Sequence, residues 1–119
     1  MLMRGLLLLL LVPLVASADV VPTGRYGGVP TLSGCGTSPT LGADSFDSGG
    51  SINVGTGIVT ACTLNFFNSG SFWTNPPKCH VQARSGTIAA FVAAPPTISA
   101  LSIGISASLP GGVIDYLCW

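Results

Sequence analysis

Residues 57–66 read GIVTACTLNF, and their rhythm decides the fold. Ile58, Thr60, Cys62, Leu64 and Phe66 fall on one face of an extended chain, with Val59, Ala61, Thr63 and Asn65 on the other. A period of two, rich in β-branched residues, predicts a strand with one face buried. The rhythm recurs downstream. In KCHVQA (78–83), Cys79, Val81 and Ala83 oppose Lys78, His80 and Gln82. In SALSIGISA (99–107), Leu101, Ile103 and Ile105 oppose Ser102, Gly104 and Ser106.

Shorter pieces complete the pattern. TLGA (40–43) and SINV (51–54) flank the turn-rich DSFDSGG, and LPGG (109–112) turns the chain into a returning strand, VIDYLCW. TIAAFVA (87–93) is apolar on both faces, which predicts a central strand or one buried in an interface. Gly or Pro interrupts almost every window long enough for a helix, and no capped apolar heptad occurs. The expected fold is all-β: a small antiparallel β-sandwich or jelly-roll-like barrel of six to seven short strands, stabilised by disulfides.

Residues 1–18, MLMRGLLLLLLVPLVASA, carry a cationic start, an apolar run over Leu6–Val15 and a small-residue Ala16-Ser17-Ala18 ending. That is the layout of a cleaved export signal. The apolar run is well short of the ~20 residues a membrane-spanning helix needs, so no stable membrane insertion is expected after cleavage. Residues 19–32, with Gly and Pro but no apolar period, read as a flexible N-terminal arm. Residues 33–119 form the expected β-domain. The product is expected to be secreted or periplasmic.

The charges beyond residue 18 are Arg25, Lys78 and Arg84 against Asp19, Asp44, Asp47 and Asp115. So few cations cannot neutralise a run of phosphates, which argues against nucleic acid as a partner. Cys35, Cys62, Cys79 and Cys118 are an even set in an exported chain and read as two disulfides. Order alone leaves the pairing open: Cys62 with Cys79 and Cys35 with Cys118, or Cys35 with Cys62 and Cys79 with Cys118. No zinc spacing occurs, and Cys79 and His80 point to opposite faces of a strand, so no metal or other cofactor is expected.

Catalytic material is equally sparse. His80 is the one histidine, and its pairing with a Ser or Cys nucleophile has no G-x-S-x-G elbow to support it. Asp44 and Asp47 lie in a turn where Asp ordinarily accepts backbone hydrogen bonds. Asp115 reads as a solvated surface carboxylate, with Arg84 or Lys78 as the partner if it is paired. No catalytic residue is assigned and no enzyme is expected.

One loop stands apart. FFNSGSFWTNPPKCH (66–80) crowds Phe66, Phe67, Phe72 and Trp73 among small polar residues. Phe66 continues the buried face of its strand. Phe67, Phe72 and Trp73, with Asn75, are candidates for a ligand platform, since rings among Asn and Ser suit sugar-binding surfaces; packing in the core or a subunit contact is the simpler alternative. Phe91, Tyr116 and Trp119 are candidates for a subunit interface.

Taken in order, CGTSPTLGADSFDSGGSINVGTGIVTACTLNF, NPPKCHV and LPGGVIDYLC resemble a small C-terminal β-domain of phage tail fibre and tailspike proteins. The resemblance covers Cys35–Cys118. It rests on a Cys-Gly opening, an aspartate turn, GTG before a Cys strand, a Pro-x-Cys strand start and a terminal Tyr-x-Cys. It implies a β-sandwich that self-associates as a trimer and displays loops to a cell-surface receptor. It also implies structural roles for Cys35, Gly36, Phe66, Pro77, Cys79, Tyr116 and Cys118. The expected function is thus an exported, non-enzymatic module that binds itself and a surface ligand, a glycan. The alternatives are a trimerising or fibre-capping unit without a ligand, and a small secreted hydrolase or inhibitor.

Overall fold

The strands with one apolar face pair so that those faces meet. The computed structural model describes residues 27–69, 71–84 and 88–119; the expected export signal over 1–18 and residues 19–26 of the expected arm lie outside them. Eight strands occur: β1 (Thr31–Ser33), β2 (Thr40–Leu41), β3 (Gly49–Asn53), β4 (Ala61–Asn65), β5 (Cys79–Ala83), β6 (Ala90–Val92), β7 (Ala100–Ile105) and β8 (Val113–Cys118). They form two antiparallel four-stranded sheets, ordered β1-β4-β7-β6 and β2-β3-β8-β5. The all-β sandwich is as the alternation predicts, with helical structure limited to one 3₁₀ turn over Phe67–Ser69 among the described residues.

The core lies between the sheets. Ile52, Leu64, Leu101, Ile103 and Ile114 from β3, β4, β7 and β8 are essentially inaccessible to water. Val81, Phe66, Ile105, Tyr116 and the disulfide-bonded Cys62 and Cys118 belong to the same cluster. Burying a side chain of this size contributes roughly 1.5–3 kcal/mol, so the two central pairings, β4–β7 and β3–β8, hold most of the apolar stabilisation.

Four features depart from the sequence reading. The eighth strand, β1, is one that the arm assignment over 19–32 does not contain: Thr31 and Leu32 pair with Asn65 and Leu64, and Pro30 is buried. Ordered backbone therefore precedes Ser33, because the unpaired edge of β4 offers it hydrogen bonds. The 87–93 stretch supplies β6, which lies at a sheet edge and not at the centre. Ile58 does not share the buried face of Cys62 and Leu64; it is 90% exposed and Val59 is buried instead. Gly57 adopts a left-handed conformation (φ 96°) and the strand begins only at Ala61, so the alternation slips by one residue before it starts. Tyr116, offered as an interface residue, points into the core, where its hydroxyl donates to the Phe46 carbonyl at 2.5 Å.

The disulfides join Cys35 to Cys62 and Cys79 to Cys118. Both staple neighbours within a sheet. Cys79 and Cys118 are directly opposed on β5 and β8, and Cys35 follows β1 to meet β4. The chain after Cys35 runs back against residues 55–56: the Gly55 N–H donates to the Cys35 carbonyl at 2.9 Å, and Thr37 and Thr56 exchange backbone hydrogen bonds. This contact explains the first glycine of the GTG stretch. A Cβ on Gly55 would lie 2.2 Å from the Thr37 carbonyl oxygen, a backbone atom that no rotamer change can move.

Gly55→Ala is therefore expected to lower the stability by at least ~1–3 kcal/mol. A urea titration followed by tryptophan fluorescence measures it, and an unchanged midpoint would refute this account of the Cys35–Thr37 crossing.

Candidate functional site

The loop after β4 splits its aromatic residues between two places. Phe66 is buried and meets Trp73 edge-to-face with ring centroids 5.9 Å apart. Phe72 meets Trp73 from its other neighbour position, again edge-on, at 4.8 Å. The result is a graded stack from the core to the surface: Phe66 inside, Trp73 half-buried, Phe72 42% exposed. Edge-to-face pairs add roughly 0.5–1.5 kcal/mol beyond the area they bury, so Phe66 anchors the loop through Trp73.

Phe72, Trp73, Asn75, Pro76 and Pro77 line one wall of a shallow groove of about 320 Å³, and Trp119 closes it from the end of β8. Trp119 is 62% exposed. Its position is set by the β5–β8 ladder, which runs one pair past the disulfide. The Lys78 N–H donates to the Trp119 carbonyl at 2.9 Å and the Trp119 N–H to the Lys78 carbonyl at 2.8 Å. Beside them Cys79–Cys118 locks the next pair. The Trp73 indole Nε1 is buried and has no hydrogen-bond partner among the described residues. Leaving such a donor unpaired costs roughly 1–3 kcal/mol.

Three of the four ligand candidates, Phe72, Trp73 and Asn75, thus come together. Phe67 does not join them. It lines a second, larger groove of about 510 Å³ with Val29, Thr31, Asn65, Asn68 and Ala100. Its ring also covers Gly28, where a Cβ would lie 2.1 Å from the ring. Of the interface candidates, Trp119 belongs to the aromatic groove and Tyr116 to the core. Phe91 lies on β6 directly opposite Gly104 of β7, with its ring over the glycine. It remains half exposed. The Trp119 contribution escapes sequence reading because it depends on which cysteine pairs with Cys118; a Cys79–Cys118 bridge would have set Trp119 opposite Lys78.

Phe67 is held by a residue that reads as an ordinary turn aspartate. The Phe46 and Gly49 backbones exchange hydrogen bonds, closing a tight turn with Asp47 and Ser48 at its tip. The tip is not in solvent: Asp47 is 0% exposed. Its carboxylate accepts from the Phe67 N–H at 2.9 Å and from the Gly28 N–H at 3.3 Å. Its own N–H donates to the Gly28 carbonyl at 2.9 Å. Burial pushes the Asp47 carboxyl above its ordinary value, and the two backbone donors only partly oppose that.

The remaining titratable groups have structural settings. Arg84 Nε and NH2 donate to the two Asp115 oxygens, each at 2.8 Å, an exposed bidentate pair that raises the Arg84 value through that hydrogen bond. Asp115 is paired, then, and not merely solvated. His80 is exposed on β5, opposite Leu117. Among the described residues no three His, Cys, Asp or Glu side chains gather as a metal site would require. No protein-family model, curated protein or solved structure matches this chain.

Asp47 sets a pH dependence whose sign follows from its raised value. Its contribution to stability is full below the ordinary carboxylate range and is lost as the pH rises through the folded-state value. Melting temperatures taken from about pH 3.5 to 6.5 are expected to fall across the lower part of that range from this group. Asp47→Asn removes that fall, while Asp47→Ala orphans two N–H groups and costs ~2–4 kcal/mol. A slope unchanged in Asp47→Asn would exclude Asp47 as its source.

Proposed function

We propose that this domain is an exported, non-enzymatic binding module whose ligand, a cell-surface glycan, lies in the groove between Phe72 and Trp119. The observation that carries the reading is the convergence of two exposed rings on a groove walled by Pro76 and Pro77, with Asn75 at hand as a hydrogen-bonding side chain. Sugar rings present apolar C–H faces edged by hydroxyls. Exposed aromatic faces beside an amide suit them, because each ring contributes area at little conformational cost. Trp73, in the same wall, carries an indole N–H without a hydrogen-bond partner among the described residues.

The two disulfides fit an oxidising compartment outside the cytoplasm. Together with the cationic and apolar start of the chain they support secretion, or release into a periplasm, after cleavage near Ala18. The tail-fibre-like motifs support self-association, with a trimer as the expected state.

Binding to a glycan array is expected for the wild-type protein, and Trp119→Ala or Phe72→Ala is expected to weaken it about tenfold, the loss of one stacking partner. A blank array, or variants that bind as well as wild type, would refute the groove as the site.

A second reading, a trimerising cap without its own ligand, is favoured by one observation, the half-exposed Phe91 on the short edge strand β6. Phe91→Asp is then expected to turn a trimer into a monomer in light scattering after size exclusion. A trimer that survives the substitution would remove β6 from the interface, and a wild-type monomer would refute self-association altogether.

A further inference from the structure

We infer that the groove selects acidic saccharides, sugars whose ring carries a carboxylate, sulfate or phosphate, over their neutral counterparts; this rests on the groove being a glycan site. The observation is the position of Lys78. Lys78 and Trp119 exchange two backbone hydrogen bonds, so they form a directly opposed antiparallel pair. Opposed residues of such a pair project from the same face of the sheet, within reach of each other. The cation and the indole that closes the groove are therefore neighbours on one face.

Their placement is fixed from three sides. Pro76 and Pro77 restrict the backbone entering Lys78, the reciprocal hydrogen bonds hold it to Trp119, and the Cys79–Cys118 bridge locks the adjacent pair. The backbone that carries the cation is thus ordered before a ligand arrives, which leaves only the Lys78 side chain to settle on an anion.

Charge complementarity gives the sign of the ligand. Of the described guanidinium and ammonium groups, Arg84 is committed to Asp115. Lys78 is exposed and has no ion-pair partner among the described residues. No aspartate or glutamate side chain lines the groove, so the side-chain charge nearest the Trp119 ring on that face is the Lys78 cation. A sugar ring stacked on Trp119 would thus present its anionic substituent to the Lys78 Nζ, with Asn75 left for hydroxyls.

The test compares matched probes by titration calorimetry: lactose against 3′-sialyllactose, and oligogalacturonate against its methyl ester, which has the same rings without the charge. The acidic member of at least one pair is expected to bind about tenfold tighter, the worth of one charge-assisted hydrogen bond, and to weaken as salt is added. Lys78→Gln is expected to abolish the preference while leaving neutral-sugar binding unchanged, and Lys78→Arg to retain it. Equal binding within both pairs, or a preference that persists in Lys78→Gln, would overturn the inference and leave the glycan site standing. Binding to no saccharide at all, on these probes and on the array, would overturn both.

Discussion

A buried carboxylate without a cation is the constraint around which the N-terminal end of this domain is arranged. Asp47 cannot be withdrawn from water unless something compensates it, and no ion pair does so among the described residues. The compensation comes from the Gly28 and Phe67 N–H groups, which belong to two separate segments that meet the 46–49 turn at this side chain. One carboxylate thus fixes where the chain enters the fold, where the aromatic loop begins, and which face of the β2–β3 hairpin is covered. Tyr116 secures the same turn from the core by donating to Phe46. The turn is held from both sides, and the loop that carries the candidate site starts from a fixed point.

Glycine and phenylalanine work as pairs elsewhere. Phe67 covers Gly28, and Phe91 covers Gly104; in each case a side chain on the glycine would occupy the space the ring fills. Gly104 is the one outward position of β7 that is fully covered, since Ser102 keeps partial access to water. A ring laid over a strand glycine replaces the packing the glycine lacks, and it leaves the outer face of the ring in solvent. This accounts for part of the exposed aromatic surface without any partner. It also separates Phe67 and Phe91, each laid over a glycine, from Phe72 and Trp119, which meet at one groove.

What could be read in the sequence follows from which signals are local. The alternation in residues 61–66, 79–83 and 100–105 depends only on the strand's own period and the need to bury one face, so the strand positions and most of the core were legible. The edge position of β6 was not, because a segment apolar on both faces reads the same whether a second strand or a neighbouring edge covers it; here β5 packs beside it. β1 carries only three residues and borrows its order from β4. The pairing of the cysteines depends on which strands become neighbours, a long-range property, and with it went the place of Trp119. Asp47 was legible as a turn residue but not as a hub, since nothing near it announces that residues 27–30 will lie across it.

The groove itself has one stiff wall and one adjustable wall, and each comes from a different kind of constraint. The Trp119–Lys78 side is the end of a sheet: β8 is a central strand, its last pair is crosslinked, and the ladder continues one residue further. The Phe72 side is a loop whose rings reach the core through the Trp73–Phe66 contact. The stiff wall sets the backbones of Lys78 and Trp119 directly opposite each other, so their side chains leave the sheet on one face. The loop wall can shift a ring by a rotamer step, which accommodates differences in shape. Trp73, which lines the groove, ties that loop to Phe66 of the core while its own Nε1 stays buried without a hydrogen-bond partner among the described residues, so the residue that anchors the adjustable wall is held by ring packing and not by a polar contact.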